Sequence, residues 1–133
     1  MYKGTITTST AVTANQNIPF NTILNTNLNT DPSENGVIKI RKSGFYNVEA
    51  SVVMTGYTAS TEISLQLFAN GKAIDESIVS VMAGATNTDP ITLTTAMIPV
   101  NVQPYNANIA DISVKVSGPA TITSGVFTIQ QLK

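Results

Sequence analysis

Apolar and polar residues alternate along much of this chain with a period of two, the spacing of a half-buried β-strand. Gly36–Arg41 (GVIKIR) puts Ile38 and Ile40 on one face and Lys39 and Arg41 on the other. Gly44–Thr55 sends Tyr46, Val48, Ala50, Val52 and Met54 inward and turns Asn47, Glu49 and Ser51 outward. Thr61–Ala69 buries Ile63, Leu65, Leu67 and Ala69 and exposes Glu62, Ser64, Gln66 and Phe68. Asn70-Gly71 follows at once, and Asn-Gly between two such runs predicts a type I′ hairpin with positive φ at both residues. The return strand is then Lys72–Met82. Further strands are predicted at Lys3–Val12, Pro90–Val102, Ile109–Val116 and Thr121–Leu132, with Ser117-Gly118-Pro119 a turn. Pro99 requires its strand to be bulged or at an edge, because proline cannot donate to a ladder.

Asn15–Asn35 breaks this rhythm. It is rich in Asn and Thr but contains Ile18, Phe20, Ile23, Leu24 and Leu28. Five large apolar residues argue against a free loop. The expectation is a long ordered connection with a short strand near Ile18–Phe20 and a turn at Asp31-Pro32-Ser33. Strands 8–12 residues apart, divided by turn signals, make the whole chain 1–133 a single all-β domain, a sandwich or jelly roll.

Composition narrows the chemistry. The 133 residues include no Cys and no His, and charged residues make up 11%. Without His the commonest general base and metal ligand is missing, and without Cys so are thiol nucleophiles and thiolate metal sites. None of the eight acids sits in a glycosidase context. An enzyme is not expected, and neither is a cofactor. A net charge of −1 argues against a nucleic-acid partner. No apolar run approaches the ~20 residues of a membrane span, and no signal-peptide pattern opens the chain. The thirteen Asn include no Asn-x-Ser/Thr acceptor, which fits a protein that does not pass through a glycosylating pathway.

The stretch from Ile18 to Val52 resembles the complement globular-head, or TNF-like, jelly-roll superfamily. The shared features are Ile18-Pro19-Phe20-Asn21, then Asn25, a Gly-led alternating strand (Gly36, Ile38, Ile40) and the Gly-x-Tyr of Gly44-Phe45-Tyr46. The hairpin Leu67-Phe68-Ala69-Asn70-Gly71 looks like one common in bacterial and phage members, and Thr121–Leu132 sits where the family's last central strand sits. The order of features is kept along the chain. The collagen stalk, disulfides and calcium-site acids of vertebrate members have no counterpart here, so immune recognition is not carried over.

The resemblance implies a TNF-like β-sandwich of roughly 8–10 antiparallel strands that assembles as a homotrimer. It implies a phage virion structural protein, a capsid decoration or head-fibre protein bound to a capsid or other virion protein at the virion surface. The alternatives are a fibre tip binding a host receptor or surface glycan, and a bacterial spore-surface protein. Strands near 3–12, 44–55, 91–102 and 120–131 would form the sheet facing the three-fold axis, with Phe45, Glu49 and Val53 at the trimer interface. The termini would emerge together, so that Tyr2, an exposed aromatic, and Lys3 dock to the capsid, with Leu28 and Asn29 in the long connection as the rival surface. Tyr57 and Tyr105 are the exposed aromatics that an adhesin would use. Three copies of Glu49 or of Asp111 are the candidates for an axial ion such as calcium.

Overall fold

The computed structural model describes residues 1–25, 30–32, 36–40, 44–102 and 110–132. Two antiparallel sheets face each other. The front sheet runs in the order β10 (Ile91–Thr94), β6 (Gly44–Thr55), β13 (Ala120–Gln131), β1 (Tyr2–Ile6), β3 (Asn21–Asn25). Two further segments join it: β11 (Ile98–Val102) pairs with β6, and β2 (Thr10–Val12) with β13. The back sheet runs β4 (Thr30–Pro32), β5 (Ile38–Ile40), β12 (Ala110–Val116), β7 (Glu62–Ala69), β8 (Lys72–Ala73), and β9 (Val79–Met82) also pairs with β7. The four stretches expected to share one sheet do so.

The alternation is carried out as the pattern predicts. Tyr46, Val48, Ala50, Val52 and Met54 on β6 meet Ile63, Leu65, Leu67, Ile112 and Val114 from the back sheet, and all are buried. Asn70 (φ 55°) and Gly71 (φ 78°) both adopt the left-handed conformation of the predicted turn. The hairpin tip is tied to β12 twice: Asn70 N donates to Asp111 O (2.8 Å), and Asp111 N donates to Asn70 Oδ1 (2.9 Å).

Three predicted strands are broken. Lys3–Val12 divides into β1 and β2, both on β13, which itself shifts register between Ile122 and Ser124. Lys72–Met82 is interrupted by a 3-10 turn at Asp75–Ser77. There the buried Ser77 Oγ stands in for a strand: it accepts from Leu67 N (2.9 Å) and donates to Ile74 O (2.6 Å). Pro90–Val102 is interrupted between Thr94 and Ile98, and Thr95 bridges the gap. Its N–H donates to Ala50 O (2.8 Å) and its hydroxyl accepts from Ala50 N (3.0 Å). Pro99 lies in β11, an edge segment, where its missing donor costs nothing.

The connection after Val12 also departs from expectation. Ile18 and Phe20 are buried, but the strand lies at Asn21–Asn25 rather than Ile18–Phe20. Residues before it extend the back sheet instead: Asn15 N donates to Val116 O, Asn17 bridges Lys115, and Ile18 N donates to Val114 O. Asp31 and Pro32 belong to β4, paired with β5, rather than to a turn. Proline is tolerated there because β4 is an edge. Ser33 lies outside the described residues.

Candidate functional site

The outer face of the front sheet is built by the odd positions of β6. Phe45 is 53% exposed, and Asn47, Glu49, Ser51 and Val53 are half-buried beside it. The structure therefore brings Phe45, Glu49 and Val53 onto one face, as expected. Register puts Lys3, Thr128 and Glu49 in one row across β1, β13 and β6. Lys3 and Glu49 are thus two strand spacings, about 10 Å, apart. They are the charged side chains of this face among the described residues. The next row, Thr5–Val126–Ser51–Thr94, is neutral, and its Ser51 and Thr94 hydroxyls hydrogen-bond at 2.8 Å.

A hollow of about 320 Å³ opens in the middle of this face, lined by Thr5, Ile6, Thr7, Ser51, Val53 and Val126 among others. It arises where β1 stops at Ile6 opposite the register shift of β13. A charge-poor edge adjoins the sheet. From Ser77 to Ala110 the single charged residue in the sequence is Asp89. Along β9 and the segment linking β10 to β11, Ile78, Val81, Met82 and Met97 are exposed, Met82 at 66%.

Tyr2 does not dock outward. It is 0% exposed, because the pairing Tyr2↔Ile129 fixes even positions of β1 toward the core. Thr22 Oγ1 donates to its hydroxyl at 3.4 Å. Lys3, at an odd position, is half-exposed on the front face. Leu28 and Asn29 lie outside the described residues, as does Tyr105. Tyr57, expected at the surface, is 2% exposed. Its hydroxyl is shared between Asp89 O (2.7 Å) and Thr86 O (2.9 Å), which ties the turn before β10 to the core. Tyrosine read as a loop residue hides this, because only the tertiary partner shows where the ring goes.

Glu49 and Asp111 lie on opposite sheets, so one axis cannot gather both. Asp111 is ion-paired with Lys39 Nζ at 3.1 Å. Among the described residues no three metal-ligating side chains cluster.

The outer face of the back sheet carries Phe68 at a position flanked by Ser64, Gln66 and Ser113. Lys115 Nζ stands 4.6 Å from its ring centroid. The alternation already put Phe68 on a polar face; its pairing with a lysine from β12 was not legible without the register.

No protein-family model and no curated protein matches the sequence. Solved structures do match in shape. The globular domain of zebrafish complement 1qA protein superposes with a TM-score of 0.72 at 10% identity, covering 99% of this chain and 96% of that one. The Eiger TNF from S. frugiperda gives 0.72 at 12% identity, covering 99% and 90%. Murine APRIL at pH 8.5 gives 0.63 at 8% identity, covering 97% and 98%. With its two antiparallel sheets matched nearly end to end by structures of both kinds, the chain has the jelly-roll β-sandwich fold of the complement globular-head and TNF-like superfamily.

Proposed function

We propose that this chain is a non-enzymatic structural module that assembles as a homotrimer and serves a phage virion as a capsid decoration or head-fibre protein. The observation that carries the assembly is the charge-poor edge of β9 and β10. Natural sheet edges are usually blunted with charge. This one exposes Ile78, Val81, Met82 and Met97, with Asp89 the single charge between Ser77 and Ala110. The front face, with Lys3 and Glu49 as its described charges and Phe45, Val53 and Val126 among its exposed or half-buried apolar residues, is a chemically matched surface for the same edge of a second copy. An edge-onto-face contact is heterologous and closes as a ring of three.

The virion assignment is supported by the resemblance of the hairpin and of the Thr- and Asn-rich composition to phage members. A surface with few charges also permits dense display with little Coulombic repulsion. With Tyr2 buried, attachment at the virion surface falls to the connection that carries Leu28 and Asn29.

Sedimentation tests the assembly: a trimer at micromolar concentration is expected, and Val53→Asp or Met82→Asp should give a folded monomer. A wild-type monomer overturns it. Co-purification with capsids tests the location; recovery with tail tips would instead favour a fibre-tip binding module, a reading that the Phe68–Lys115 pair on the back sheet also supports.

A further inference from the structure

The back sheet carries a second surface that the assembly does not use. Its outer face is extended beyond β12 by the chain just after β2. Asn17 pairs with Lys115, and Lys115 pairs with Gln66, so these three residues form one row across three adjacent segments. Asn15 is held at the end of this extension in a left-handed conformation (φ 63°) by its bond to Val116 O. It lines two hollows. One, about 330 Å³, is bounded by Gln16, Asn17 and Pro19. The other, about 80 Å³, is bounded by Ser64, Gln66, Phe68, Lys115 and Ser117.

The chemistry of this surface is specific. Four carboxamides, two serine hydroxyls, one half-buried phenyl ring and one ammonium line it. Gln66 uses its Nε2 on Ile74 O (3.3 Å), and Ser117 Oγ accepts from Ser64 N (2.9 Å), which orients both side chains. Among the described residues Asn17 Oδ1 is buried with no hydrogen-bond partner. Lys115 rests over the Phe68 ring rather than against a carboxylate. Along its own strand and the paired one, Asp111 and Glu62 are four residues away, about 13 Å, and Asp111 is already paired with Lys39. Asp75 and Glu76 lie on the far side of Gln66, two strand spacings or about 10 Å from Lys115, beyond the ~8 Å screening length at physiological salt.

We propose that this surface is a binding site for an acidic sugar. Amides and hydroxyls match the alternating donors and acceptors of a sugar ring. The half-buried Phe68 ring gives the smaller hollow an apolar wall for the sugar's C–H groups. Lys115 supplies the charge that selects a sugar bearing a carboxylate over a neutral one. The site rests on the fold of one chain and not on the trimer or the virion assignment.

The test is an amide NMR titration of the intact protein with sialyllactose, with lactose as the neutral comparison. Shifts confined to Asn15, Asn17, Gln66, Phe68 and Lys115 are expected, with sialyllactose bound about tenfold more tightly, the worth of one charge-assisted contact. Lys115→Met keeps the aliphatic stem over the ring and should abolish that preference. Phe68→Ala should weaken both sugars, and each variant's amide spectrum reports whether it stays folded. Equal binding of the two sugars, an unchanged preference in Lys115→Met, shifts located elsewhere, or no shifts with tens of millimolar sugar would each overturn the proposal. A monomer in sedimentation would leave it untouched, as a failed titration would leave the trimer untouched.

Discussion

The Tyr2 ring stands edge-on to Phe127, with centroids 5.9 Å apart and planes at 76°, and Phe20 packs on the same Phe127 ring at 5.4 Å. The second residue of the chain is thus part of the core. Tyr2→Ala should cost about 3–5 kcal/mol, the range for a truncated buried aromatic. Tyr2→Phe, which forfeits only the long hydrogen bond from Thr22, should cost about 1 kcal/mol or less. Urea denaturation of both variants measures the difference, and similar losses would contradict the packing described.

Burial pushes the phenols of Tyr2 and Tyr46 above their ordinary value of 10.0, and for Tyr2 the Thr22 hydrogen bond pulls weakly the other way. The native state then holds these protons longer than the unfolded chain does. Their contribution is complete below pH 10 and is lost as pH rises through the folded-state values. Stability should fall above pH 10, and less steeply in Tyr2→Phe; equal slopes would argue against a buried Tyr2 phenol.

Ser77→Ala removes the buried hydroxyl that accepts from Leu67 N at the end of the Asp75–Ser77 turn. An orphaned buried donor costs about 1–3 kcal/mol. Hydrogen exchange at Leu67 should accelerate along with that loss. Unaltered protection at Leu67 would mean that another group takes over the bond.

A side chain at Gly71 would meet nothing within 4 Å, yet its φ is +78°. Gly71→Val should therefore destabilise through backbone strain alone, by about 1–2 kcal/mol. Gly71→Asn should be milder, because Asn tolerates the left-handed region. Thermal melts of the pair separate conformational strain from packing.

Alternation made the long central strands legible. Gly44–Thr55 is a strand to the residue, because five apolar positions at strict spacing leave one register that buries them all. The edges were not legible in the same way. Whether Thr95 or Ser77 continues a strand or replaces one depends on a hydroxyl reaching a particular backbone group, Ala50 N or Leu67 N, in a distant segment. The same limit explains the sites. Phe45, Glu49 and Val53 share one strand, so their common face follows from parity alone. Tyr2 has no alternating run before it, and its inward direction is set by Ile129 at the other end of the chain. Asn17 and Lys115 are joined by a single bridge that no local pattern encodes.

The pairing of β6 with β13 has a kinetic consequence. Ala50 and Phe127 are register partners although 77 positions separate them, and β1 can add to the sheet only once β13 is present. Closing a loop of that length costs several kcal/mol of chain entropy, on the order of 4 by the logarithmic length term, before any contact repays it. Folding dominated by such distant pairings runs in milliseconds to seconds. During synthesis the stretch from Ser77 to Ala110, with its single charge, has emerged before the strand that completes the front sheet exists. The nascent chain therefore carries this association-prone stretch before its sheet can be completed, and yield should rise when the temperature of expression is lowered, because cooling weakens apolar association.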